Sequence, residues 1–118
     1  MGRLERYTIT LLVKRPDAPH LDEQAAAALQ DAHMSHLADL HAAGHLLAAG
    51  PLSDQQRFYR GLSILNVEPE RARELKEADP AVQAGIFTVL AIPWMVPAGA
   101  LAYAPARFPR SIAEASAE

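Results

Sequence analysis

Two residues far apart in the chain, His33 and Asp79, have the types and spacing for proton transfer. His33 follows Leu29 by four residues and precedes Leu37 by four, which sets it on the helical stripe of Ala25, Leu29, Leu37 and Leu40. An imidazole on a core-facing stripe costs free energy unless it has a partner. Neutral imidazole is also a proton acceptor near neutral pH. Asp79 lies four residues after Leu75 and seven after Ala72, so it continues the inward face of a second helix. The helix dipole disfavours a carboxylate at a C-terminus, so its presence needs a reason. One reason is structural: Asp79 caps a new turn whose first residue is Pro80. The other is a His-Asp dyad, in which the carboxylate keeps one imidazole nitrogen protonated and leaves the other as base. A carboxylate has two oxygens, so both reasons can hold. The structural alternative for His33 is a core histidine satisfied by a backbone carbonyl.

The remaining candidates surround this pair. His36 follows His33 by three residues and can border the same cavity. His41 and His45 fall at the helix end, where positive charge is favoured. The spacing H-x-x-H-x-x-x-x-H gives a weak metal signal, because His41 points away from the other two and no carboxylate is suitably placed. No metal is expected. Arg57, Tyr59 and Arg60 cluster before Gly61, and arginine forks suit carboxylates and phenolates. Tyr59 and Arg60 are taken with His36 as substrate-binding candidates, while Arg57 reads more simply as a solvated loop edge. Ser63 is mid-strand with no base adjacent in sequence and is not proposed as a nucleophile. No glycine-rich phosphate loop is present, and no cofactor is implied.

The elements that must position these residues are legible from periodicity. Residues 6–14, RYTITLLVK, read as a strand. Residues 21–43 read as a long helix, with Asp22 as its N-cap and Gly44 in the left-handed position past its end. Residues 45–50 form a short apolar strand closed by Gly50-Pro51, and residues 58–67 a third strand with a bulge or close approach at Gly61. Pro69 opens a second helix running to about residue 78, and residues 86–93 form a fourth strand. The order β-α-β-β-α-β is the ferredoxin-like arrangement, an α+β fold with two helices on one face of an antiparallel sheet. Both end strands are apolar throughout, so the open face is expected to pack on a second copy, giving a homodimer. Residues 1–94 are expected to form the domain. Residues 95–118, rich in Pro, Ala and Gly, form a C-terminal extension that contacts the dimer or is partly disordered, with a short helix between 109 and 117.

Bulk properties narrow the function classes. The 118 residues suit one domain, and the net charge of −3 comes without a basic run. Nucleic-acid binding is therefore not expected. The chain has no cysteine, so neither a disulfide framework nor thiolate chemistry is expected. No apolar run reaches membrane-spanning length, and the first residues lack the apolar core of a signal peptide, so a cytoplasmic protein is expected.

The pattern of His33, Leu37, Leu40 and Gly44, followed by L-L-A-A-G-P-L at 46–52, resembles the YCII-related (YciI-like) family. The match continues through R-G at 60–61, E-A-D-P at 77–80, A-G at 84–85 and P-W at 93–94. The resemblance implies a dimeric α+β barrel of ferredoxin-like protomers with a His-Asp pair beside the sheet, by position His33 and Asp79. It also implies proton chemistry on small molecules, since family members include a dehydrochlorinase of a chlorinated hydroxyhydroquinone. His36 stands where a bulky or aromatic residue is common, and the tail after Trp94 is longer than usual. The expected function is a cofactor-independent lyase- or isomerase-type enzyme in bacterial secondary metabolism or catabolism. It would use His33 and Asp79 for elimination, isomerisation or cyclisation of a small cyclic substrate. The alternative is a non-catalytic ligand-binding or assembly module with a structural His33–Asp79 bond.

Overall fold

In the computed structural model, which describes residues 2–117, the strands are β1 (Leu4–Lys14), β2 (Leu46–Pro51), β3 (Tyr59–Leu65) and β4 (Phe87–Pro97). The helices are α1 (Glu23–Ala42), α2 (Pro69–Glu77), α3 (Pro80–Gln83) and α4 (Ile112–Ser116). All strand pairs are antiparallel and the sheet order is β2-β3-β1-β4. This is the expected ferredoxin-like α+β arrangement.

Local chemistry explains the boundaries. The Asp22 carboxylate accepts the Ala25 N–H at 2.7 Å and starts α1. At the other end Gly44 takes φ 88°. There Gly44 N–H bonds the His41 carbonyl and His45 N–H the Leu40 carbonyl, the Schellman pattern that satisfies the last carbonyls. The register of β1 against β3 shifts between Leu12 and Val13, where Gly61 lies opposite Leu12. A Cβ on Gly61 would sit 3.6 Å from Leu12 Cδ1, an ordinary van der Waals contact, so Gly61 marks the bulge rather than a close approach of the strands.

The fourth strand runs to Pro97 rather than stopping near 93, because β1 begins at Leu4 and supplies partners through the Leu4–Pro97 pair. Pro93 and Pro97 are tolerated since β4 is an edge strand and its prolines leave no internal donor missing.

Thr8, Thr10 and Leu12 of β1 are buried, while α2 lies across β1 and β4 and α1 lies over β2 and meets α3. The core comprises Leu40, Leu46, Leu65 and Ala72, with Leu37, Leu75 and Phe108 packed against it. Each such leucine contributes roughly 1.5–3 kcal/mol by leaving water. On the opposite face, Ile9 pairs with Ile92 and Leu11 with Leu90. Leu90 is 42 % and Ile92 44 % exposed, and Trp94 and Met95 further along β4 are also exposed.

The segment after β4 lies along α1. Tyr103 Oη donates to the His41 carbonyl at 2.6 Å, and Arg110 bonds Ser35 Oγ and Asp39. Asp31 accepts the Ile112 N–H at 2.8 Å. The short helix in this segment is α4, capped by Ser111.

Candidate active site

α1 carries His33 to the sheet side, and the loop between α2 and α3 carries Asp79 to meet it. His33 Nδ1 and Asp79 Oδ2 are 2.6 Å apart. Asp79 is completely buried and the His33 side chain is 14 % exposed. The other carboxylate oxygen, Oδ1, accepts the Ala81 N–H at 2.8 Å and so caps α3. One carboxylate thus fills both roles that the sequence left open. Burial alone pushes the Asp79 carboxyl up. The hydrogen bond and charge of His33, the Ala81 N–H and the charge of Lys76 outweigh it and hold the carboxyl below its ordinary range. With Asp79 ionised, Nδ1 is the protonated nitrogen of His33 and Nε2 is the basic one.

His33 lines a cavity of about 390 Å³, within the range of small-ligand sites. Leu12, Met34, Leu37, Leu62 and Phe87 form its apolar walls, and Phe108 and Pro109 from the C-terminal segment complete them. Arg60 lines it, as does Arg57, which the sequence reading had assigned to a solvated edge. Burial, then the neighbouring Arg57 charge, push the Arg60 guanidinium below its usual value. The loop holding both is set by Asp54, whose carboxylate accepts the backbone N–H groups of Gln56, Phe58 and Tyr59. Arg57 itself adopts φ 61°.

Two expected site residues stand elsewhere. His36 Nε2 bonds the Leu75 carbonyl at 3.0 Å and is not among the cavity-lining residues. Its position three residues after His33 rotates it toward α2 rather than the cavity. Tyr59 is 40 % exposed and meets Phe58 edge-on, and it too is outside the lining. His41 is buried, and its hydrogen bonds differ from those of a cation at a helix end. Nδ1 donates to the Leu46 carbonyl at 2.7 Å, and Nε2 accepts the Ala106 N–H at 2.9 Å. Among the described residues no group of His, Asp or Glu is arranged to hold a metal ion. No helix there is long and apolar enough to cross a membrane.

Sequence reasoning missed Lys76 and set Ser63 aside. Both line the cavity, Lys76 is fully buried, and its Nζ donates to Ser63 Oγ at 3.3 Å. Burial lowers the Lys76 ammonium to about 8, against the opposing attraction of Asp79. The signal was present: Ala72, Lys76 and Asp79 share one helical face. The ordinary tendency of lysine to be exposed concealed it.

Comparison with known proteins agrees with this architecture. No curated protein matches the sequence. Among solved structures, the chain is similar to the 5-chloro-2-hydroxyhydroquinone dehydrochlorinase of Burkholderia phenoliruptrix AC1100 in complex with 2,5-dihydroxybenzoquinone. The TM-score is 0.51 at 20 % identity, covering 75 % of this chain and 90 % of that one. At that identity the likeness speaks for the fold. The model of the YCII-related domain matches residues 8–95, from the first strand through the fourth, and the chain belongs to that family.

Proposed function

We propose that this chain is a small-molecule enzyme in which His33 removes a proton from a small cyclic organic compound held in the cavity. The observation that carries the reading is the 2.6 Å contact between His33 Nδ1 and the buried Asp79, made by an imidazole that lines the cavity. Asp79 fixes the tautomer, leaves Nε2 free to accept the proton and stabilises the imidazolium that forms. The arginine pair at the cavity supplies positive charge for an oxyanion that develops on the substrate. Elimination, isomerisation and cyclisation all need this machinery, and the reaction as read requires no cofactor. The structural neighbour's substrate, a chlorinated hydroxyhydroquinone, makes halide elimination from a hydroxylated ring the first reaction to try. The protein acts in the cytoplasm as a homodimer, its apolar sheet face around Leu90, Ile92 and Trp94 packed on a second copy. The second reading, a binding module with a structural His33–Asp79 bond, is favoured by Asp79 doubling as the α3 cap.

The test is a turnover screen of small hydroxylated rings, starting with 5-chloro-2-hydroxyhydroquinone and chloride release. The wild type is run beside His33→Asn and Asp79→Asn. Turnover that collapses in His33→Asn supports the reading. Turnover that survives in His33→Asn removes the base assignment, and a wild type that binds such rings without turning any of them over leaves the binding module.

A further inference from the structure

Lys76 is the least expected residue in the cavity. An ammonium with no exposed surface is costly unless a counter-charge meets it. Among the described residues its hydrogen-bond partner is a neutral hydroxyl, Ser63 Oγ at 3.3 Å. Asp79 attracts it only through space, because both oxygens of that carboxylate are already engaged, by His33 and by the Ala81 N–H. A second buried polar group lies on the strand beside Ser63. Thr10 lies in register with Ser63 on the neighbouring strand, and its buried Oγ1 has no hydrogen-bond partner among the described residues. Finally, among the described residues the cavity lining contains Arg57, Arg60 and Lys76 but no carboxylate, in a chain whose net charge is −3.

We propose that Lys76, seated on Ser63, is the anion-binding pole of the cavity, and that the site takes small rings bearing an ionised oxygen, a phenolate or enolate, in preference to neutral rings of the same size. The assignment rests on the reading of this cavity as the substrate site and gives that substrate its chemical class. A ring oxygen carrying negative charge supplies what Lys76 lacks, a counter-charge close to its buried ammonium. The arginine pair adds to the positive field. The same ammonium then acts together with His33, which lines the same cavity. It stabilises charge delocalised onto the oxygen while the imidazole takes the proton.

The experiment uses para-nitrophenol, whose phenolate is yellow and whose neutral form is not, with nitrobenzene as the neutral control. The wild type is expected to bind the phenolate and to keep it ionised at pH values where the free compound is protonated. Lys76→Met, an apolar replacement of similar length, is expected to weaken phenolate binding about ten- to a hundredfold and to leave nitrobenzene unchanged. A measurement on the unaltered protein guards against misfolding of the variant. Affinity for the phenolate falls as pH rises through about 8, where Lys76 loses its proton. The other titratable or charged groups at hand are Asp79, whose charge acts on Lys76, and His33, Arg57 and Arg60, which line the same cavity. The carboxylate stays ionised and the guanidiniums stay charged over that range, and His33→Asn run in parallel subtracts the imidazole. Equal affinity for phenolate and nitrobenzene in the wild type overturns the assignment. So does undiminished phenolate binding in Lys76→Met together with affinity that is flat through pH 8. The dyad reading fails on turnover in His33→Asn and this one on affinity, so each can fail alone.

Discussion

Helix α1 carries two inward-facing imidazoles, His33 partly buried and His41 buried, whose surroundings differ in kind. His33 faces a carboxylate from another element on one side and a cavity on the other. His41, two turns along, is closed on every side. Its two nitrogens are taken by the Leu46 carbonyl and the Ala106 N–H, and its ring stacks on Tyr103 at 4.9 Å and on Phe108 at 4.3 Å. Among the described residues the first arrangement leaves a lone pair without a protein partner, which is what proton transfer needs. The second uses every polar atom, which is what fastening a chain segment needs. On the proposed reading, the same residue type on the same helix serves reaction in one place and attachment in the other. The attachment still reaches the cavity, because the tail segment that His41 holds also supplies Phe108 and Pro109 to its wall.

Mutating the two histidines separately gives the sharpest test of this contrast. His33→Asn is expected to lower turnover of a confirmed substrate by about 10²–10⁴-fold, the usual contribution of a positioned base, while unfolding in urea changes little. If stability collapses and turnover does not, the roles of the two histidines are reversed. Lys76 marks the cavity side as the place where stability is given up. Its folded value of about 8 lies below its ordinary 10.5, so the folded state holds fewer protons between those values. Stability is therefore reduced below about 8 and recovers as pH rises toward 10.5, by an amount on the order of 3 kcal/mol. Lys76→Met is expected to be more stable than the wild type at neutral pH and to lose that rise, as measured by denaturation across pH.

His41→Ala removes two buried hydrogen bonds and both ring contacts, and is expected to destabilise by about 2–3 kcal/mol. Limited proteolysis should then cut the segment between residues 99 and 106 faster, whereas an unchanged cleavage rate would show that the clamp is not what holds it. Asp79 sets the acid limit. Its folded value is lowered, so its contribution is present above the ordinary carboxylate range and is lost as pH falls through the folded value. Asp79→Asn should flatten the acid limb of the stability curve while retaining the Ala81 cap. The smallest effect is expected at the third imidazole. His36→Ala removes one bond to the Leu75 carbonyl and should cost about 1 kcal/mol with turnover nearly unchanged.

Sequence spacing resolved the contrast only in part. It placed His33 and Asp79 on inward faces because helical periodicity needs nothing beyond local geometry. It placed Gly44 at the helix end because only a residue without Cβ takes that conformation freely. It set His36 beside His33 on the cavity, and there the few tens of degrees between neighbouring stripes decided against it. Tyr59 was misplaced for a related reason: the turn around Asp54, not strand alternation, sets the direction of that segment.

By itself the sequence determined the order of elements, the caps that bound the helices and the inward faces that carry His33 and Asp79, since each follows from contacts within a few residues. The tertiary structure alone decided three things. Lys76 and Ser63 meet beneath the cavity, His41 is a clamp rather than a charged helix end, and the C-terminal segment walls the site. Each depends on groups brought together from distant parts of the chain, where burial and the loss of water decide which polar atoms must find one another.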